Sequence, residues 1–217
     1  MARLLDLGID GITNIIFDMA KLSERSVLTA IESYEKGTSV KKEIFDWSEQ
    51  LRLLQDEVAD LAIELIARYQ PVATDLRFIR SCMEIAYGFS RFGRYAYDIV
   101  DVLETMGSIS DCDKTVVLET AGTVRQMIHS SVQALQSKDK NAAEKLYEMD
   151  DTVDILYRNY LRRAVAPPKK GEEPLTDPRC YTSALLILRY LERISDHACY
   201  IADSVHYIVT GESSPRR

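Results

Sequence analysis

The sequence is a tandem duplication, which restricts the chain to folds in which two like units pack about a pseudo-symmetry axis. Residues 75 to 103, from Asp75-Leu-Arg77-Phe-Ile through Ser90-Arg-Phe-Gly-Arg94, align at an offset of 102 with Asp177-Pro-Arg179-Cys-Tyr through Glu192-Arg-Ile-Ser-Asp196. Upstream, Ser26-Val-Leu-Thr-Ala-Ile31 aligns at an offset of 104 with Ser130-Ser-Val-Gln-Ala-Leu135, and the same offset lays Asp46 and Gln50 on Asp150 and Asp154. The second copy therefore carries two Asp/Glu-x-x-x-Asp pairs, Asp150/Asp154 and Glu192/Asp196, where the first has Asp46/Gln50 and Ser90/Arg94.

Apolar residues recur at helical spacing nearly throughout and alternating β-branched runs are few, which predicts an all-α chain. Six helices are expected at about 10–36, 39–69, 74–106, 114–137, 139–165 and 177–210. Gly37, Gly107 and Gly211 supply C-terminal stops, Pro71 follows the second helix, Thr74 or Asp75 caps the third, and Asp177-Pro178 opens the last as N-cap and first-turn proline. Long helices joined by short connections favour antiparallel neighbours, so each copy is expected to form a three-helix bundle, the first spanning 1–108 and the second 109–217. Residues 166–174 read as a polar loop inside the second copy. In the last helix, Tyr181, Ala184, Leu185, Leu188, Leu191, Ala198, Ala202, Val205 and Val209 form the expected core stripe, while Glu192, Asp196 and Asp203 return to a second azimuth.

The net charge of −7 argues against a nucleic-acid face, which needs clustered Lys and Arg. Cys82, Cys112, Cys180 and Cys199 show no C-x-x-C spacing and follow no signal peptide, which predicts reduced thiols in a cytoplasmic protein, with Cys82 and Cys199 in the core. Asp6, Asp10 and Asp18 interrupt the apolar N-terminus, and no run is long enough to span a bilayer. Membrane association is then expected only through partners.

Like charges at i,i+4 repel by only about 0.2–0.5 kcal/mol on an exposed helix, so one acidic pair is ordinarily a solvated face. The ladder Asp56/Asp60/Glu64, which has no counterpart in the second copy, is read that way. Two pairs on neighbouring helices are different. Asp150, Asp154, Glu192 and Asp196 facing one another would repel strongly unless a cation neutralised them, and oxygen-only ligation suits Mg, Ca, Mn or Fe. His197 is turned about 100° from Asp196 and is more often a structural histidine than a ligand at such a position. His129 and His206 read as structural, and the two Asp-x-Arg sequences, Asp75/Arg77 and Asp177/Arg179, as helix caps. In the first copy Arg94 takes the place of Asp196, and is expected to supply a fixed positive charge to Asp46 or Glu49 across the adjacent helix. No nucleophile elbow, Gly-rich phosphate loop or His-centred triad is present, which speaks against an enzyme.

Gln70-Pro71-Val-Ala-Thr-Asp75-Leu-Arg77-Phe-Ile and Leu191-Glu192-Arg-Ile-Ser-Asp196-His-Ala, within the tandem three-helix plan, resemble the PhoU family, the accessory regulators of phosphate-specific transport. The resemblance covers nearly the whole chain. It implies a cytoplasmic, often homodimeric, non-enzymatic protein that restrains phosphate uptake and signalling through the transporter's ATPase subunit and a sensor kinase. It also implies metal clusters, commonly iron or zinc, on the outer face of each bundle, held through E(D)-x-x-x-D motifs. Residue by residue this carries over to Asp150, Asp154, Glu192 and Asp196; in the first copy Gln50, Ser90 and Arg94 replace the ligands and only Asp46 matches. The competing readings are a PhoU-like module of another membrane transporter or channel and a metal-dependent phosphoesterase.

Overall fold

The computed structural model describes residues 4–166 and 177–214, so the expected polar loop lies, but for Ala166, outside the described residues. Six helices follow in order: α1 (Leu4–Lys36), α2 (Lys41–Tyr69), α3 (Ala73–Met106), α4 (Thr115–Ser137), α5 (Ala142–Val165) and α6 (Pro178–Thr210). Helices α1, α2 and α3 pack into one bundle and α4, α5 and α6 into the other; α3 lies against α6 along the seam between them, with α1 touching α4. The architecture is two pseudo-symmetric three-helix bundles in tandem.

Chain punctuation explains several helix ends. Gly37, Gly107 and Gly211 adopt positive φ after α1, α3 and α6, and Gln70 does so between α2 and Pro71. Asp177 caps α6 by accepting the Arg179 backbone N–H at 2.8 Å, with Pro178 next in the first turn. Two starts differ from expectation. Helix α1 is already formed at Leu4, the first described residue, with Leu5 buried; α3 begins at Ala73 with Val72 as N-cap and no side-chain cap, so neither Thr74 nor Asp75 plays that part.

The third helix of each copy is the spine of its bundle and also forms the seam, so it is buried on more than one face. Helix α6 buries Ala184, Leu188, Leu191, Ala198, Ala202 and Val205 as expected, but also Ile187, Ile194, Ile201 and Ile208, a row seven residues apart that one core stripe does not require. Val209, by contrast, is 42% exposed. Close approach is set by small residues. A Cβ at Gly88 would meet Ile201 Cγ1 at 3.0 Å across the seam, and one at Gly93 would meet Leu51 Cδ1 at 2.4 Å where α3 crosses α2. Buried Ser23, Ser131 and Ser195 donate to carbonyls three residues back in their own helices, so they pass as small, satisfied residues in these contacts.

The cysteines divide in an unexpected way. Cys82 and Cys199 are buried thiols, but Cys112 and Cys180 form a disulfide, which corrects the expectation of four reduced thiols. Their Cα atoms are 5.4 Å apart, within bridging range, although 68 residues separate them in sequence. Folding returns the start of α6 to the linker between the copies, and sequence spacing carries no trace of that.

Next to this bridge, Asp113 opens α4 by accepting the Thr115 backbone N–H at 3.0 Å and its hydroxyl at 2.6 Å. These hydrogen bonds hold the Asp113 carboxyl below its ordinary range. Because the folded-state value is depressed, the contribution is present above the unfolded pKa and disappears as pH falls through the folded one. Asp113→Ala is expected to cost about 1 kcal/mol at neutral pH, and nothing once acid has protonated the wild-type carboxyl. Urea titrations at several pH values would show this, and a difference independent of pH would contradict it.

Candidate functional site

Asp150 and Asp154 lie one helical turn apart on α5, and Glu192 and Asp196 one turn apart on α6, the helix packed beside it. The structure brings Asp154 close to Glu192 and Asp196, both of which it repels. Glu192 is 9% exposed. Burial, then the neighbouring Asp196, push its carboxyl above the ordinary range against the pull of Arg189 and Arg193. Burial likewise raises Asp196, opposed by Arg193 and reinforced by Asp154. These carboxylates are ionised at a cost.

Three arginines offset part of that cost, and the sequence reading overlooked them. Arg158 reaches Asp154 at 2.6 Å, Arg189 reaches Glu192 at 2.6 Å and Arg193 reaches Asp196 at 3.1 Å. Each stands three or four residues from its carboxylate on the same helix, so the signal was available in the spacing. Compensation is incomplete. Glu192 Oε2 is buried and accepts no hydrogen bond; Arg193 Nε stands 3.6 Å away, an ion-pair distance too long for one. With the arginines in place, no three His, Cys, Asp or Glu side chains among the described residues converge on a point where one ion could be held.

The donor set nevertheless fits a hard or borderline cation. It is all oxygen, it spans two adjacent helices, and it includes a buried acceptor with no hydrogen-bond partner. The arginine side chains are 62%, 36% and 42% exposed for Arg158, Arg189 and Arg193. Their carboxylate partners are only 23%, 12% and 28% exposed, so these are partly buried pairs, less screened by solvent than surface ion pairs.

Asp203 does not join this ridge. It accepts a hydrogen bond from the Tyr147 hydroxyl of α5 and faces a different cleft. His197 lies among the rings of Tyr87, Tyr95 and Tyr200, with centroids 5.6, 6.0 and 5.6 Å away. Burial, with Arg91 and Arg193 nearby, pushes its imidazole down to about 4, so it is neutral at pH 7. Tyr95 is its equivalent under the offset of 102, so the two repeats meet ring to ring at the seam. His206 bonds the Lys140 carbonyl at 2.9 Å and His129 lies 3.8 Å from Glu24, contacts between helices or from helix to loop.

In the first copy Asp46 and Gln50 are exposed and Ser90 is buried. The expected pairing of Arg94 with Asp46 or Glu49 is not found. Arg94 turns along its own helix to Asp98 at 3.1 Å and lies over the Tyr97 ring, while Glu49 pairs with Arg52 at 3.3 Å. An i,i+4 carboxylate is reached without crossing to α2, and that local geometry prevails. The ladder of α2 is solvated as read, with Asp56 paired to Arg52 and Glu64 to Arg68, both at 3.0 Å.

The model of the PhoU domain matches twice, over residues 16–103 and 117–205. The chain belongs to the PhoU family. It is 26% identical over 216 residues to a phosphate-specific transport system accessory protein PhoU homolog of Clostridium acetobutylicum, covering 97% of this chain and 96% of that one. It is 27% identical to the homolog of Zymomonas mobilis, over 99% and 90% of the two chains. The crystal structure of PhoU from Pseudomonas aeruginosa superposes with a TM-score of 0.85 at 25% identity, covering 95% of this chain and 99% of that one. A phosphate transport system regulatory protein PhoU from Streptococcus pneumoniae superposes equally well, with a TM-score of 0.85 at 18% identity, over 98% and 100%, and shares the fold. Both PhoU domains fall on the two bundles, one to each.

Proposed function

We propose that this PhoU-family protein restrains phosphate uptake and phosphate signalling as a non-enzymatic adaptor on the cytoplasmic side of a phosphate ABC transporter, docking on its ATPase subunit and on a sensor kinase, and working as a homodimer. The observation that carries this reading is the pair of PhoU-domain matches in tandem over most of the chain, among relatives described as accessory proteins of phosphate-specific transport. No helix among the described residues is long and apolar enough to cross a membrane, so a role at a transporter requires a protein partner. Asp150, Asp154, Glu192 and Asp196 would hold one metal centre in the second bundle, iron or zinc or a harder divalent ion. The ion would supply there the positive charge that the three arginines supply only in part.

The experiment combines recovery of partners with elemental analysis. Tagged protein at physiological salt should retain the phosphate transporter's ATPase subunit, and its deletion should raise phosphate uptake in phosphate-replete cells. Asp154→Asn combined with Asp196→Asn should remove the bound metal. Recovery of a component of another transporter in place of the ATPase would refute the phosphate assignment; metal retained by the double variant would refute the site.

A further inference from the structure

The seam between the bundles opens, on one side, into a cleft of about 420 Å³, within the range of small-molecule sites. Its walls are one face of α3 and one face of α6. Arg80, Glu84 and Tyr87 stand on the first, and Tyr200, Asp203 and Tyr207 on the second, each set at helical spacing. His197 also lines the cleft; its ring meets Tyr87 and Tyr200 edge to face, and its Nδ1 is buried without a hydrogen-bond partner.

Packing does not account for these tyrosines. Tyr87 is 48% exposed and Tyr200 51%, so large parts of both rings face solvent. The repeat does not require them either: at the offset of 102, Tyr87 corresponds to Arg189, Tyr200 to Asp98 and Tyr207 to Thr105. The aromatic cleft is therefore specific to one side of a pseudo-symmetric seam. Among the described residues that line it, Glu84 and Asp203 stand against one cation, Arg80. At one end the cleft already holds a guanidinium of its own: Arg80 lies 5.2 Å from the Tyr207 ring centre and is braced by Glu84 at 3.1 Å. Aromatic faces beside carboxylates attract cations through the ring quadrupole as well as through charge.

We propose that this cleft binds an organic cation, an alkylated ammonium or a guanidinium group, on the ring faces of Tyr87 and Tyr200 with Asp203 as countercharge. Such a group is carried either by a free small molecule or by a side chain of a bound protein. The site lies apart from the ridge of Glu192 and Asp196 and does not depend on the regulatory reading.

The full-length protein would be titrated by calorimetry with choline, with N-acetylarginine amide, and with 3,3-dimethylbutan-1-ol, the uncharged counterpart of choline. At least one cation should bind with a Kd of about 1 mM or tighter, and the alcohol should bind at least about tenfold more weakly. Preference for choline points to a free ligand, and preference for the arginine derivative points to a protein side chain. Tyr200→Leu should weaken binding about tenfold, whereas Tyr200→Phe, which keeps the ring, should preserve it. Tyr200 is half exposed, so both variants should fold, and the NMR signal of the His197 ring protons should shift on binding in the wild type. Absence of binding by both cations, equal binding of the alcohol, or an unchanged Kd in Tyr200→Leu would each overturn the proposal.

Discussion

Phe89→Ala is expected to destabilise the protein by about 3–5 kcal/mol, a large share of the roughly 5–15 kcal/mol that separates folded from unfolded states of ordinary domains. Phe89 is fully buried on α3, its ring set edge to face against Phe92 with centroids 5.9 Å apart. Removing it forfeits the transfer energy of the ring and leaves a cavity on a helix packed against α1, α2 and α6, where collapse from one side pulls on another. Leu53→Ala is the control. Leu53 is 58% exposed on the outer face of α2, so its loss should stay within about 0.5 kcal/mol. Denaturant midpoints with unchanged slopes would measure both. A loss below about 1.5 kcal/mol at Phe89 would mean that the seam repacks freely, contrary to a close-packed spine.

The second large effect is expected at the disulfide. Opening the Cys112–Cys180 bridge releases a loop spanning 68 residues of sequence separation, which the chain-entropy treatment values at about 4 kcal/mol. Dithiothreitol should therefore lower the unfolding midpoint of the wild type markedly. The double variant Cys112→Ser, Cys180→Ser should begin at the lowered midpoint and not respond to the reductant. Cys82 and Cys199 are buried, and burial pushes the Cys82 thiol up to about 12, which keeps it inert in this comparison. If reduction leaves the midpoint unchanged, the Asp177 cap and the α4–α6 packing hold the start of α6 without the bridge. In a reducing cytoplasm the same difference would become a dependence of stability on redox state.

The six helices, their tandem grouping and the acidic positions of the second copy are legible in the sequence, because apolar spacing, glycine stops and the repeat offset are local or periodic signals. The arginines beside Asp154, Glu192 and Asp196 were equally local, three or four residues away, and could have been read from the same helix geometry. Other features belong to the tertiary structure alone. The row Ile187, Ile194, Ile201 and Ile208 is buried only because α6 serves a seam as well as a bundle. Arg94 could have reached across to α2 or along α3, and competition between those contacts sent it to Asp98. The meeting of Cys112 with Cys180, and of Tyr87 with His197, joins residues far apart in the chain, a distance over which sequence pattern says nothing and only close packing decides. Periodicity determined which faces had to be buried; which side chains then met across those faces was determined by how the two bundles docked.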